Sequence, residues 1–148
     1  MKKLFFALVL SALSITSLFC QMTAMDVANI QSVSSAIMSE DGSFVIYTLS
    51  VPADPLKENK RAESKLYLFD IATQSSRPLV TQGSVYGVAL RPGHNSVTFL
   101  NKRDGDKTTS IYELSMFGGE AQNIFSFERN IGSYEWNSDG TQLLFSAR

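Results

Sequence analysis

Cysteine, histidine and tryptophan each occur once in this chain, and proline only four times. A lone thiol, Cys20, excludes an internal disulfide framework and a multi-thiolate metal site. Charge of one sign is missing as well. Thirteen Lys and Arg stand against fourteen Asp and Glu, a formal net charge of −1, and no basic patch is left to dominate binding to nucleic acid. Helical periodicity is absent from the body of the chain. Between Gly87 and Phe125 four short apolar runs are divided by three turn signals, and none is long enough for an ordinary helix.

The one long uncharged stretch lies at the start. Met1-Lys2-Lys3 runs into Leu4–Leu13, a charged opening and then an apolar stretch, the form of a secretory signal peptide over residues 1–20. Ser11, Ser14, Thr16, Ser17 and Gln21 interrupt it, which argues against a retained membrane helix. Phe19 precedes Cys20 where lipoprotein processing wants a small residue. Cleavage near Cys20–Gln21 by the ordinary signal peptidase is therefore expected, with a lipid anchor at Cys20 the less favoured route. The expected destination is the periplasm or the exterior, with no membrane attachment after cleavage. Loss of the leader removes the only thiol together with Lys2 and Lys3. Within 21–31, Thr23 and Asp26 have the spacing of a capping box, and Val27 and Ile30 lie three apart, so a short opening helix is expected.

From residue 32 onward the chain repeats itself. Met38–Tyr47, Leu90–Phe99 and Trp136–Phe145 align without a gap. Each has a large apolar residue, a polar turn with glycine, and an apolar strand ending in an aromatic ring. A second half-motif recurs in the same register, Lys-Leu-Tyr-Leu-Phe-Asp at 65–70 against Ser-Ile-Tyr-Glu-Leu-Ser at 110–115. Repeats of roughly 40–50 residues with four short strands each are the signature of propeller blades. The expected fold is all-β. It is an incomplete β-propeller of two four-stranded antiparallel blades, about 32–82 and 83–127, with the start of a third at 128–148.

Within the first unit, strands are expected at 32–38 and 43–51, joined by Glu40-Asp41-Gly42. Phe44, Ile46 and Thr48 would point one way and Val45, Tyr47 and Leu49 the other. Both faces are apolar, which suits a strand held between neighbouring sheets. Residues 52–64 are charged, hold two prolines and read as a solvated loop. Strands resume at 66–71 and at 77–80, with Pro78 near the beginning of the last, where a missing N–H is tolerated.

Pro-Leu-Lys-Glu-Asn-Lys-Arg (55–61) ahead of Ser-Lys-Leu-Tyr-Leu-Phe-Asp (64–70) resembles the first blade of the prolyl oligopeptidase family, in its acylaminoacyl-peptidase and dipeptidyl aminopeptidase branch. So does Phe-Leu-Asn-Lys-Arg-Asp-Gly-Asp-Lys-Thr-Thr-Ser-Ile-Tyr (99–112) with Gly118-Gly119-Glu120-Ala121, and Thr23–Gln31 is similar to that family's opening helix. The resemblance covers about Met22–Arg148. The chain departs from it at Glu40 and Ser138, where proline is usual, and at Gly93-His94, where Asp-Gly is usual. The resemblance implies an N-terminal propeller that limits access of peptides to a C-terminal α/β-hydrolase domain with a Ser-Asp-His triad. On that reading the partners are peptide substrates, reached only through the complete enzyme, and the blades and hydrolase domain that would follow this chain. The hairpins are also similar to those of the Tol envelope propeller, so a non-enzymatic propeller that binds protein partners is the alternative.

Nothing in the chain itself is expected to catalyse. It holds no Gly-x-Ser-x-Gly turn for a nucleophile. His94, the only imidazole, falls in a hairpin turn and reads as solvated. Asp104-Gly105-Asp106 has too few oxygen ligands at the wrong spacing for a calcium loop and reads as a turn. Trp136, with Tyr134, Phe127 and Phe145, reads as contact between blades rather than a ligand platform. Lys57–Arg61 mixes signs and reads as a solvated loop. No catalytic residue, cofactor site or metal site is therefore assigned from the sequence.

Overall fold

The computed structural model describes residues 22–148. The expected leader and Cys20 lie outside the described residues. Thr23 opens a short helix, α1 (Ala24–Ala28), through the expected reciprocal cap. Its hydroxyl accepts from the Asp26 N–H at 3.1 Å, and the Asp26 carboxylate accepts from the Thr23 N–H at 2.8 Å. At five residues the helix is shorter than the expected segment. Val27 and Ile30 both stay exposed, so no buried face extends it beyond the turn that its cap holds.

Ten strands follow, every pair antiparallel, and the fold is all-β. The first sheet is β1 (Ser32–Met38), β2 (Phe44–Val51), β3 (Glu63–Asp70) and β4 (Ser75–Val80), in that order. The second is β5 (Tyr86–Leu90), β6 (Ser96–Asn101), β7 (Ser110–Ser115) and β8 (Gln122–Phe125). A hairpin of β9 (Ile131–Trp136) and β10 (Leu143–Ala147) completes the described strands. β3 begins before the expected Leu66 because Glu63 and Ser64 pair with Val51 and Ser50. β4 begins before the expected Arg77, and its Pro78 sits beside a slip in the ladder, where no N–H is required.

The sequence repeat is a repeat of backbone geometry. Met38↔Val45, Leu90↔Val97 and Trp136↔Leu143 close the three hairpins at the same place. Each turn carries the same two bonds. Ser39, Arg91 and Asn137 donate their N–H to the carbonyls of Phe44, Ser96 and Gln142 at 3.0–3.1 Å, and accept from Gly42, His94 and Gly140 at 3.0–3.1 Å. The third and fourth strands of both full sheets slip at equivalent points, Leu66/Tyr67 and Ile111/Tyr112. Irregularities that recur at equivalent positions belong to the unit.

The sheets also stack in one sense. Ile46, Leu66, Leu68 and Val80 of the first sheet share a buried cluster with Val97, Phe99, Tyr112 and Leu114 of the second. On the second sheet's other face, Leu100, Ile111 and Phe125 meet Ile131, Tyr134, Leu143 and Phe145 of the hairpin. β6 is consequently buried along its whole length. β2 has the same two-sided apolar pattern, yet only Ile46 and Thr48 are buried, and Val45, Tyr47 and Leu49 are half-buried. The expectation that β2 is covered on both faces is therefore corrected: no sheet lies on its outer face among the described residues.

Candidate functional site

Position 91 is where the repeat departs from its own pattern. Its equivalents cap their own turns. The Ser39 hydroxyl accepts from the Phe44 N–H at 3.1 Å, and the Asn137 side-chain oxygen accepts from the Thr141 and Gln142 N–H groups, each at 3.0 Å. An arginine has no acceptor to offer, and Arg91 reaches outward instead. Its Nε donates to the Gly140 carbonyl at 2.8 Å, and its Nη1 donates to the two Glu113 carboxylate oxygens at 3.2 and 3.0 Å. The guanidinium carbon lies 4.6 Å from the centre of the Trp136 ring. Ser96 donates its hydroxyl to the same carboxylate at 2.5 Å. The ion pair is about one-fifth exposed, 22% at Arg91 and 19% at Glu113, so water screens it less than a surface pair. The Arg91 bond to Gly140 ties the second sheet to the turn of the following hairpin.

Deeper in the same seam, Thr98 is fully buried. Its hydroxyl donates to the Ala89 carbonyl at 3.2 Å and accepts from the Tyr134 hydroxyl at 2.8 Å and the Trp136 indole N–H at 3.0 Å. Burial pushes the Tyr134 phenol well above its ordinary range, with the bond to Thr98 acting the other way. Thr98→Val keeps the shape and removes the acceptor, leaving two donors without a partner. The expected loss is about 1–3 kcal/mol, read from urea unfolding followed by Trp136 fluorescence. An unchanged midpoint would mean that water replaces the hydroxyl.

Two open hollows flank this seam and share His94, Asn95 and Ser96. One, of about 410 Å³, is lined further by Glu113, Ser115 and Glu120. The other, of about 320 Å³, lies between the first two hairpin turns, with Asp41 at its rim and Phe44, Leu90 and Met116 at its base. Glu113 is held by Arg91 and Ser96, and His94 Nδ1 lies 2.9 Å from the Pro92 carbonyl of its own turn. No hydrogen bond joins this imidazole to a hydroxyl among the described residues, so no nucleophile is paired with a base there.

His94 is exposed in its turn, as expected. Asp106 is engaged by its own loop and by β7. It accepts from the Tyr112 hydroxyl at 2.5 Å and the Arg103 N–H at 2.9 Å, and Gly105 turns the backbone at φ 94°. Trp136 and Tyr134 lie between the second sheet and the hairpin, as the sequence suggests, and Phe145 meets Phe125 at 4.8 Å and Phe127 at 5.3 Å between ring centres. The 57–61 loop is exposed, and its ion pairs are local: Lys57 with Asp54 at 3.1 Å and Lys60 with Glu58 at 2.5 Å. Among the described residues no group of three or more His, Cys, Asp or Glu is placed to hold a metal, and no helix is long and apolar enough to cross a membrane.

The turn carboxylates carry a pH dependence. Asp41 is pulled down to about 2 by the Ser39 hydroxyl and then by the N–H and hydroxyl of Ser43. Asp139 is lowered by Thr141, and Asp106 by the Tyr112 hydroxyl and the Arg103 N–H. Carboxyls depressed in the folded state contribute stability that is full above their unfolded pKa of about 4 and is lost as pH falls through the folded values. The urea midpoint is therefore expected to fall on acidification from about pH 4 toward pH 2. Asp106→Asn should make that fall shallower. An unaltered acid limb in the variant would show that Asp106 plays no part in it.

Neither a protein-family model nor a curated protein matches the chain. Sequence reasoning missed Arg91, Glu113 and Thr98. One signal was present: arginine at the position where the other two copies place a turn-capping Ser39 or Asn137.

Proposed function

We propose that the two sheets and the hairpin are the first blades of a β-propeller, and that this propeller begins an exported serine peptidase of the prolyl oligopeptidase type. Catalysis would come from a C-terminal α/β-hydrolase domain beyond Arg148. The part of the protein in hand would serve as a gate, admitting short peptides and excluding folded chains. The observation that carries the proposal is the one-sense stacking of equivalent faces. Each sheet presents the Ile46 or Leu100 side to the Phe99 or Phe145 side of the next. Closing into a ring is one way for a series of that kind to end without open faces, and for β-propellers it takes about four to eight blades. Further support is the half-covered outer face of β2 and the resemblance of residues 55–70 and 99–121 to that peptidase family. The chain alone is expected to be inactive on peptides.

The test is to raise an antibody to the exposed 55–62 stretch and to treat the exported fraction of the source cells with a serine-directed phosphonate. The proposal expects a cross-reacting protein several times larger than this chain that takes up the label. A large exported protein that stays unlabelled would replace the peptidase with a non-enzymatic binding propeller. A product of this chain's own size would overturn both.

A further inference from the structure

We propose that Asp104–Gly105 is a modification site, at which aspartate converts spontaneously to isoaspartate and opens the clasp that Asp106 forms across the β6–β7 loop. Asp-Gly steps occur at 41–42, 104–105 and 139–140. The reaction needs two free groups, the glycine amide as nucleophile and the preceding carboxyl as electrophile. At two of the steps both are held. Gly42 donates its N–H to the Ser39 carbonyl at 3.0 Å, and Gly140 to the Asn137 carbonyl at 3.1 Å. Asp41 Oδ1 accepts from the Ser39 hydroxyl at 2.6 Å and the Ser43 N–H at 3.0 Å. Asp139 Oδ1 accepts from the Thr141 N–H at 2.9 Å and its hydroxyl at 2.5 Å. Those bonds favour the charged form, pulling Asp41 down to about 2 and lowering Asp139 as well. An ionised carboxylate has no hydroxyl to lose as water.

The third step is built differently. In the hairpin turns the glycine comes last, and its N–H closes the turn. Here the closing bond runs from the Asp106 N–H to the Arg103 carbonyl at 3.0 Å, which leaves Asp104 and Gly105 as the two central residues. Both are exposed, and among the described residues no hydrogen bond engages the Gly105 N–H or the Asp104 side chain. The space beside Gly105 is open, with nothing within 4 Å of where a Cβ would stand. The Gly105 nitrogen attacks Asp104 Cγ and gives up its proton, and the carboxyl hydroxyl leaves as water, closing a five-membered imide. Water then opens the ring. Addition at the side-chain carbonyl restores aspartate. Addition at the main-chain carbonyl breaks its bond to nitrogen, and the chain thereafter runs through Cβ with a free α-carboxylate. Overall mass is unchanged, and no oxidant or reductant is required. The added backbone atom falls inside the 103–106 turn, whose ends are joined by the Asp106 N–H bond and by the Arg103 N–H to Asp106 Oδ2 at 2.9 Å. The same Oδ2 holds the Tyr112 hydroxyl at 2.5 Å, so the change reaches β7.

The test incubates the full chain at mildly acid pH, folded and in urea, and follows isoaspartate by electron-transfer fragmentation of its peptides. In the folded chain, isoaspartate is expected at 104 at least about tenfold faster than at 41 or 139, each of which must first give up its hydrogen bonds. In urea the three rates should converge. Asp104→Glu, which would have to close a six-membered ring, should stay unmodified at 104 and keep the urea midpoint. In the isoaspartate form, hydrogen exchange at the Asp106 amide should quicken at least about tenfold, because its bond to Arg103 is lost. Equal rates at the three sites in the folded chain overturn the inference, as does a difference that persists in urea, which would belong to local sequence alone. Unchanged exchange at Asp106 in the modified chain overturns the opening of the clasp.

Discussion

Phe99→Ala is expected to cost about 3–5 kcal/mol of unfolding free energy, and the same truncation at Tyr47 less than about 2. The two residues occupy one position of the repeat, yet their surroundings differ. Phe99 is fully buried, sealed between the first and second sheets in a cluster with Ile46, Leu66 and Leu114. Removing its ring leaves a cavity that rigid strands on both sides cannot collapse into. Tyr47 stacks on Tyr67 at 5.5 Å and its hydroxyl donates to Ser76 at 3.1 Å, but it lies on the half-covered outer face. Urea unfolding with Trp136 as the reporter compares them directly. Equal losses in this chain would mean that the outer face is covered in solution. In a longer form with a closed ring the Tyr47 cost should rise toward that of Phe99.

Gly140→Ala is the second large effect, expected at about 2–4 kcal/mol, with Gly42→Ala near 1 as its control. Both glycines sit at the same turn position with nearly the same backbone, φ 67° and 68°, where a side chain costs on the order of 1 kcal/mol or more. Their neighbours separate them. A Cβ on Gly42 would meet nothing within 4 Å, whereas one on Gly140 would lie 2.3 Å from the Pro92 carbonyl oxygen. That oxygen belongs to the preceding turn, and the Gly140 carbonyl accepts from Arg91 Nε. The substitution therefore pushes apart the second sheet and the hairpin as well as straining one turn. Similar losses at the two glycines would show that this approach is absent in solution.

The turns and the repeat were legible in the sequence because they depend on residues with few conformational alternatives. Gly42 and Gly140 mark left-handed positions, and Tyr47, Phe99 and Phe145 mark the strand behind each turn. The capping box of α1 was legible for the same reason: both partners lie within one turn of chain. Thr98 was not, because its partners Tyr134 and Trp136 are 36 and 38 residues away, and a threonine in a strand carries no sign of what will reach it. Nor could the pattern of β2 be told from that of β6. Both alternate two apolar faces, and whether the second face is covered depends on a neighbouring sheet rather than on the strand. The seam around Arg91 lies between these cases: the departure was visible in the aligned turns, but its partner Glu113 was not.

The reading frame past codon 148 tests the central claim most directly, that these sheets are the opening units of a larger ring. The account predicts an uninterrupted frame. Its first segment should pair with β10 and carry an aromatic residue in the Tyr67 and Tyr112 position. Further repeats of roughly 40–50 residues should follow, and then a Gly-x-Ser-x-Gly turn with Asp and His after it. A stop at that point, together with a 148-residue product that is a soluble monomer and unfolds in one cooperative step, would contradict it.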